Sequence, residues 1–433
     1  MRRLSQVIVS AGAFFILAAQ PGRAQDVPLS ELLTRFFTPA NPLILANPDH
    51  AAHFISQTGA SETLGLLNKN IAYQLSSFPL GSSSGGFSFE LDPTLGTLSR
   101  STQSFGPLFA ERALTSGKGK LTVGSSFTAA TWDRFEGHEL EDGAIQLTLT
   151  HFDIPGDNHF EGDLIDADFF LGLKTNTFSV FANYGVTDRL DIGVALPFQR
   201  VEMDARIHTT VLPLATANDP APVHFFQGGT LEHDFFESGD ASGIGDIVLR
   251  GKLGISPNVA AAVDVRLPTG DAADLLGTGS TQVKGFLILS GGKGRFSPHV
   301  NVGYTFTGDS DVFGQLPDEF NYTGGFDAVL SSRLTFNADL VGRSLMNADR
   351  LVPTDHVYTY RFANEPTGTR PHSVTRQELA LEEGTLNLLL GAVGLKFNPT
   401  GRLLISGNVL LSLSKDNGLQ DVVTPVFQID YNF

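Results

Sequence analysis

The chain has 433 residues and carries 46 Asp and Glu against 29 Lys and Arg, a formal net charge of −17. That acidity excludes a nucleic-acid binder, which needs a basic surface, and the absence of Cys excludes disulfides, thiolate nucleophiles and Cys-ligated metals. With 46 Gly, 34 Phe and a mean hydropathy of +0.03, the composition is too polar for a bundle of membrane helices and too rich in Gly and Phe for an ordinary soluble enzyme.

Residues 1–24 read as a secretory signal peptide. Arg2 and Arg3 form a basic start, residues 7–19 are apolar but too short to span a bilayer, and Gly22 and Ala24 supply small residues for cleavage after Ala24. Cleavage would remove Arg2, Arg3 and Arg23 and no acid, taking the net charge from −17 to −20. No later apolar run approaches the roughly 20 residues of a spanning helix, so an exported chain is free to pass the inner membrane.

Residues 25–117 form a segment ahead of the main repeat. The stretches "SELLTRFF" (30–37) and "SETLGLLNKNIAYQL" (61–75) space their apolar residues at the helical period, with Ser61 as a helix cap. After "GSSSGG" (81–86), the pattern predicts a hairpin over 87–100. Two placements fit this segment: a plug inside a barrel lumen, or a periplasmic cap or arm. Ser83 stands at the centre of a match to the nucleophile elbow, but the strand and helix that an elbow needs are missing, and a Ser/Gly hinge explains the stretch better. "TSGKGK" (115–120) lacks the upstream Gly of a phosphate loop and the Ser or Thr after Lys118.

From residue 119 onward the dominant period is two. Leu190, Ile192, Val194 and Leu196 alternate with Arg189, Asp191, Gly193 and Ala195, and Leu334, Phe336, Ala338 and Leu340 alternate with Arg333, Thr335, Asn337 and Asp339. Such segments, each with one apolar and one polar face, are strands. A soluble sandwich alternates too, but Asp264 and Arg266 sit mid-strand opposite Val263 and Val265, where a sandwich core rejects charge and a water-filled lumen accepts it. The alternation slips by one between Phe198 and Val201, which predicts a bulge near Pro197.

Connection lengths set the topology. Short turns at 184–189, 256–258, 291–295, 330–333 and 398–402 alternate with long connections at 207–242, 269–280, 308–318, 347–385 and 414–421, as periplasmic turns alternate with extracellular loops. The fold class is therefore all-β: an antiparallel transmembrane barrel over 118–433, of about twelve strands, beginning near 119–133 and ending with 422–433. Residues 144–154 are strand-like but are assigned to the first extracellular loop. A strand near 86–101 would raise the count to about fourteen.

Five stretches carry a family resemblance: "SFGPLFAERALTSGKGK" (104–120), "YGVTDRLDIGVALPF" (184–198), "GIGDIVLRGKL" (243–253), "VDVRLPTGDAADLLGTGS" (263–280) and the end, "PVFQIDYNF" (425–433). Over about 104–433 the chain resembles the outer-membrane channel family associated with the meta-pathway of phenol degradation. The resemblance implies a barrel channel for hydrophobic or aromatic compounds and assigns no functional residues. The similar fatty-acid channel family places its N-terminus in the lumen as a plug. Tyr431 and Phe433 end an alternating strand on an aromatic, which resembles the signal read by the outer-membrane assembly machinery, and Phe433 suits an interfacial aromatic girdle.

By alternation, Asp191, Asp246, Arg250, Lys252, Asp264, Arg266, Asp327, Asp339 and Arg343 point inward and would line the channel or hold a plug by ion pairs. The first extracellular loop, 133–168, holds eleven acids against the single Arg134, a field that repels anions and attracts divalent cations. His151, Asp153, Asp157, His159 and Glu161 have metal-ligand chemistry, but a solvated acidic loop is the better account, and no metal or other cofactor is expected. "DSDVFGQLPDEF" (309–320) opens like a calcium loop with Asp309, Asp311 and Gly314, but Phe313 and Phe320 occupy ligand positions.

The function expected is passive or plug-gated uptake of small hydrophobic or aromatic solutes, without enzymatic activity. The partners expected are outer-membrane lipid and lipopolysaccharide, the assembly machinery and a small-molecule solute. Two alternatives are a structural or adhesive barrel without an open pore, and a lipid-modifying barrel enzyme, for which His208 and His224 lack a convincing partner.

Overall fold

The computed structural model describes residues 27–37, 45–46, 54, 58–78, 89–92, 97–100, 104–151, 162–292, 294–362, 365, 369–414 and 417–433. Twelve strands form the barrel. They are β1 (Leu121–Trp132), β2 (Leu164–Gly185), β3 (Leu190–Leu212), β4 (Val248–Ser256), β5 (Val259–Arg266) and β6 (Gln282–Ser290). The second half comprises β7 (Phe296–Thr307), β8 (Asp318–Ser331), β9 (Leu334–Tyr360), β10 (His372–Phe397), β11 (Leu403–Ser412) and β12 (Val423–Asn432). Each pairs antiparallel with the next, and β12 pairs with β1 in the register Phe427↔Phe127, which closes the ring and leaves no edge strand within it. The expected twelve strands are all present. Phe89–Asp92 and Thr97–Arg100 form a separate two-stranded sheet and do not join the barrel, so the fourteen-strand alternative is set aside.

Alternation decides what each face meets. Leu287, Leu289, Val300, Leu395, Ile405, Phe427 and Ile429 are exposed on the outside, while Asn301, Asn337, Asn408 and Gln428 are buried on the inside. An exposed apolar belt running round a closed barrel matches the hydrocarbon of a bilayer and would be unstable in water. On four adjoining strands, Phe198, Phe178, Phe127 and Phe427 fall in one cross-strand row, with Phe127 and Phe427 exposed.

The predicted bulge near Pro197 is not there. The β2–β3 ladder runs without a register shift from Gly185↔Asp191 to Leu164↔Leu212, and odd-numbered residues face inward throughout. What changes is the chemistry of the two faces. Below Phe198 the outer positions are Ile192, Val194 and Leu196, and the inner ones include Asp191 and Gln199; above it the outer positions are Arg200, Glu202, Asp204 and Arg206, and the inner ones are Val201, Met203 and Ile207. Strand β2 inverts at the same level, from inner Asn183 and Ser179 to inner Leu173, Leu171 and Phe169. The strands leave the membrane there, so water replaces lipid outside, and an apolar core replaces the polar lumen inside.

That change corrects the loop boundaries. The 207–242 and 347–385 connections contain the upper parts of β3, β9 and β10, and Glu232–Ile244 pairs with upper β3 while β4 pairs with its lower part. Ile145–Thr150 is a strand on the upper edge of β2, the edge that β1 occupies below. These extensions make an extracellular collar. Helices α1 (Leu29–Leu32) and α2 (Thr58–Ser76) and the 3-10 turn Thr34–Phe37 pack into it: Leu29, Phe36, Leu64, Leu67, Ile71 and Leu75 share one buried cluster with Phe169, Leu171, Met203, Ile207, Leu351 and Leu379. Leu64, Leu67, Ile71 and Leu75 recur at the period of one helix face, and each such burial stabilises by about 1.5–3 kcal/mol. Helix α2 begins three residues before Ser61, which is therefore inside the helix and not its cap.

Candidate functional site

Residues 104–116 lie in the lower barrel, joined by hydrogen bonds and ion pairs to the inner faces of eight strands, β2 to β4 and β6 to β10. The Phe105 amide donates to Thr335 Oγ1 (3.0 Å), the Glu111 amide to Asn301 Oδ1 (2.6 Å), the Ala113 amide to Ser290 Oγ (2.9 Å) and the Ser116 amide to Asp191 Oδ2 (2.9 Å). In return Lys396 Nζ donates to the Pro107 carbonyl (2.6 Å) and Lys252 Nζ to that of Leu114 (3.0 Å). An irregular backbone inside a barrel has unsatisfied amides and carbonyls, and here wall side chains satisfy them.

Two adjacent residues of this strut carry opposite charge. Glu111 Oε1 accepts from Arg250 Nη1 at 2.5 Å, and Arg250 also grips Asp264 through two bonds of 2.6 Å. Arg112 Nη2 pairs with Asp327 Oδ2 at 2.6 Å. Behind that pair, His299 bonds Asp339 at 2.6 Å. Arg250 and Asp327 are thus paired with the inserted segment, and Asp264 and Asp339 with other wall residues, where the alternation predicts a water-filled lumen.

A second tier holds the end of α2. Arg266 donates to the Ser76 carbonyl, placing a cation at the negative end of the helix dipole. Asp246, in the break between Ile244 and Val248, accepts from Ser76 Oγ at 2.9 Å, and Arg343 Nη2 contacts Ser77 Oγ and Glu319 Oε2 at 2.5 Å each. Between the tiers lies a cavity of about 140 Å³, bordered by Phe78, Phe109, Arg250, Gln282, Lys284 and Arg343.

The nine charges expected to face inward all do so, and the structure divides them into these two tiers. Glu111 and Arg112, their counter-charges, went unnoticed, although an acid–base pair within an apolar stretch, "LFAERAL", is a readable signal. Lys284, Glu319 and Lys396 were also missed, although period two reaches each of them from the same strands.

In the collar, Lys69 pairs with Asp349 (2.7 Å), Arg350 with Glu136 (3.1 Å) and Arg376 with Asp166 (3.1 Å). Burial pushes the Asp166 carboxyl up, and Arg376 opposes it; Glu136 is likewise raised by burial against Arg350. His151 packs against Phe54 and His224 at ring distances of 5.3 and 5.2 Å, while Asp153, Asp157, His159 and Glu161 lie outside the described residues. Among the described residues no group of three His, Asp or Glu could hold a metal. Residues 1–24 and Ser83 also lie outside them.

The sequence model of the family described as "Putative MetA-pathway of phenol degradation" matches residues 151–374, more than half of the chain. The chain belongs to that family. No curated protein gives a significant match. Among solved structures, this member of the phenol-degradation family is similar to an outer membrane channel from Pseudomonas putida F1 at 14% identity and a TM-score of 0.42, covering 73% of this chain and 96% of that one. It is also similar to a Pseudomonas aeruginosa FadL homologue (9% identity, TM-score 0.32, 74% and 91% covered) and to the Ralstonia pickettii toluene transporter TbuX (12%, 0.28, 73% and 90%). The matched stretch runs from the collar through β2 to β10 and takes in both inversion strands.

Proposed function

We propose that the protein is an outer-membrane channel for small hydrophobic, chiefly aromatic, solutes, and that its N-terminal segment is a plug held in the lumen by reversible polar contacts. The observation that carries this reading is the strut. It is fastened to the lower wall mainly by hydrogen bonds and by the ion pairs Glu111–Arg250 and Arg112–Asp327, in a barrel whose outer belt suits lipid. A purely structural barrel has no need of a charged, separately threaded occupant. Its polar contacts can be exchanged for water, and the apolar contacts that accompany them, at Phe105, Leu108 and Ala113, are small clusters separate from the collar core.

Membership in a family described by phenol degradation supports the solute class, as does the route from outside, which passes the apolar collar before reaching the charged tiers. The lipid-modifying alternative has less behind it. His224 Nδ1 contacts Asp163 Oδ2 at 2.7 Å, but the hydroxyl of Thr216 donates to that same carboxylate, so it is not set up as a nucleophile.

The test is single-channel conductance in planar bilayers of the full chain beside Arg112→Gln and a chain lacking residues 25–116. Silence of the full chain with opening in either variant is the result expected. Equal conductance in all three removes the plug, and no conductance from any demonstrably folded barrel removes the channel.

A further inference from the structure

At the level where the wall turns from polar to apolar, Phe78 stands two residues beyond the end of α2 and meets Trp132 edge-on, ring centroids 5.6 Å apart at 87°. Trp132 Nε1 donates to Thr175 Oγ1 at 3.1 Å, which fixes the indole plane. Two small adjoining cavities border Phe78, one of them also Trp132, and both are lined by Thr128, Thr177 and Gln199. Phe78 also borders the larger lumen cavity and packs against two separate apolar clusters, one in the collar and one against the lower wall. It thus stands between the two compartments that a solute must traverse.

The seam also holds an unpaired polar atom, although Thr128, Thr177 and Ser179 line the same space. Gln199 Oε1 is buried and has no hydrogen-bond partner among the described residues. A buried amide oxygen without a donor costs stability, so a ligand bringing one O–H or N–H gains more there than on an apolar wall. Edge-on aromatic packing against Trp132 is already satisfied by Phe78, whose ring has the size and shape of a single-ring solute.

We propose that Phe78, Trp132 and Gln199 form a solute-binding site in which a single aromatic ring bearing one hydroxyl displaces Phe78 from Trp132 and donates its O–H to Gln199 Oε1. This inference rests on the channel reading and adds to it a site and a ligand class. Phe78 is then a tethered stand-in for the solute, and its swing away joins the collar to the lumen cavity.

Trp132 is the single Trp of the chain, so indole emission reports this site alone. The refolded full chain is titrated with phenol and with toluene, which has the ring but no donor, beside Phe78→Leu and Gln199→Leu; Gln199→Met is the fallback should Gln199→Leu not fold. Expected are a saturable emission change, tighter binding of phenol than of toluene, and tighter binding of both by Phe78→Leu. Replacing Gln199 is expected to weaken phenol by about tenfold and leave toluene within about twofold, the effect of one buried hydrogen bond. Linear, unsaturable quenching in all variants overturns the site, and equal phenol binding with and without Gln199 overturns the role of the hydroxyl. Conductance of the same preparation separates the two levels: a conducting protein without saturable quenching loses only this site, whereas a silent one with silent plug variants loses the channel reading.

Discussion

Glu111 and Arg112 are consecutive in the chain yet are held by different parts of the wall, Glu111 by Arg250 on β4 and Arg112 by Asp327 on β8. Those strands stand four apart in a ring of twelve, so one dipeptide ties together parts of the wall a third of the ring apart. The opposite signs make the brace specific in rotation as well as in depth.

Loss of one end leaves a buried charge without its partner. Arg112→Gln removes the guanidinium from Asp327 and leaves that carboxylate only His299, at 3.6 Å, as a charged neighbour; it should destabilise the docked strut by up to about 3 kcal/mol, and adding Asp327→Asn should recover part of that loss. Hydrogen exchange of the 104–116 amides in the two variants and the double variant measures it. Additive losses would show that the pair is not coupled.

The two faces of the wall should respond oppositely above and below Phe198. Leu287→Lys, on the lipid face, should cost about 2–4 kcal/mol in folding into bilayers. Ile207→Asp, facing into the collar, should open the collar and leave barrel folding in lipid within about 1 kcal/mol, because the buried cluster is local. Denaturant titration in vesicles combined with proteolysis of the collar reads both. Collapse of the barrel from Ile207→Asp would show that collar and barrel fold as one unit.

Asp166 supplies a pH dependence. Burial raises its folded carboxyl above the unfolded value despite Arg376, so its contribution to stability is present below the unfolded value and is lost as pH rises through the folded one. The collar should therefore gain from Asp166 on mild acidification, and Asp166→Asn should be no less stable at neutral pH and should lose that gain. Thermal melting across the acidic range checks it; a neutral-pH loss in Asp166→Asn would mean that the Arg376 pair outweighs the burial.

Phe433 takes part in closing the barrel through its backbone. Its amide donates to the Leu121 carbonyl at 2.9 Å, and its ring lies 4.8 Å from that of Tyr431 on the outer face. Phe433→Ala keeps the backbone bond, so it should leave the stability of refolded protein within about 1 kcal/mol while slowing assembly in cells. Pulse-chase of heat-modifiable barrel in cells, beside refolding in vitro, separates the two effects.

The barrel was legible because lipid and lumen impose opposite polarity on alternate residues, and β4 to β8 and β11 obey that rule along their length. The collar was not. Between Gln199 and Val201 the rule reverses without any change of geometry, and a reversal of polarity looks like a one-residue slip to anyone reading alternation alone. Long strands such as β9 were cut short in the same way, since beyond Met346 no lipid face remains to mark them. The charges on the wall were read correctly for direction, but their partners come from residues far away in sequence, such as Arg112 for Asp327, and no local pattern carries that information.

The strut has a consequence for how the molecule is made. Residues 104–116 lie inside the ring, and β1, which follows directly, is both its first strand and the partner of its last. On the other side of the strut in sequence, α2 is wider than an extended chain and sits in the collar. Drawing α2 through a completed ring would mean dragging a helix past paired, buried charges. Winding the wall round a thread already in position avoids that passage, with β12 zipping shut on an occupied interior.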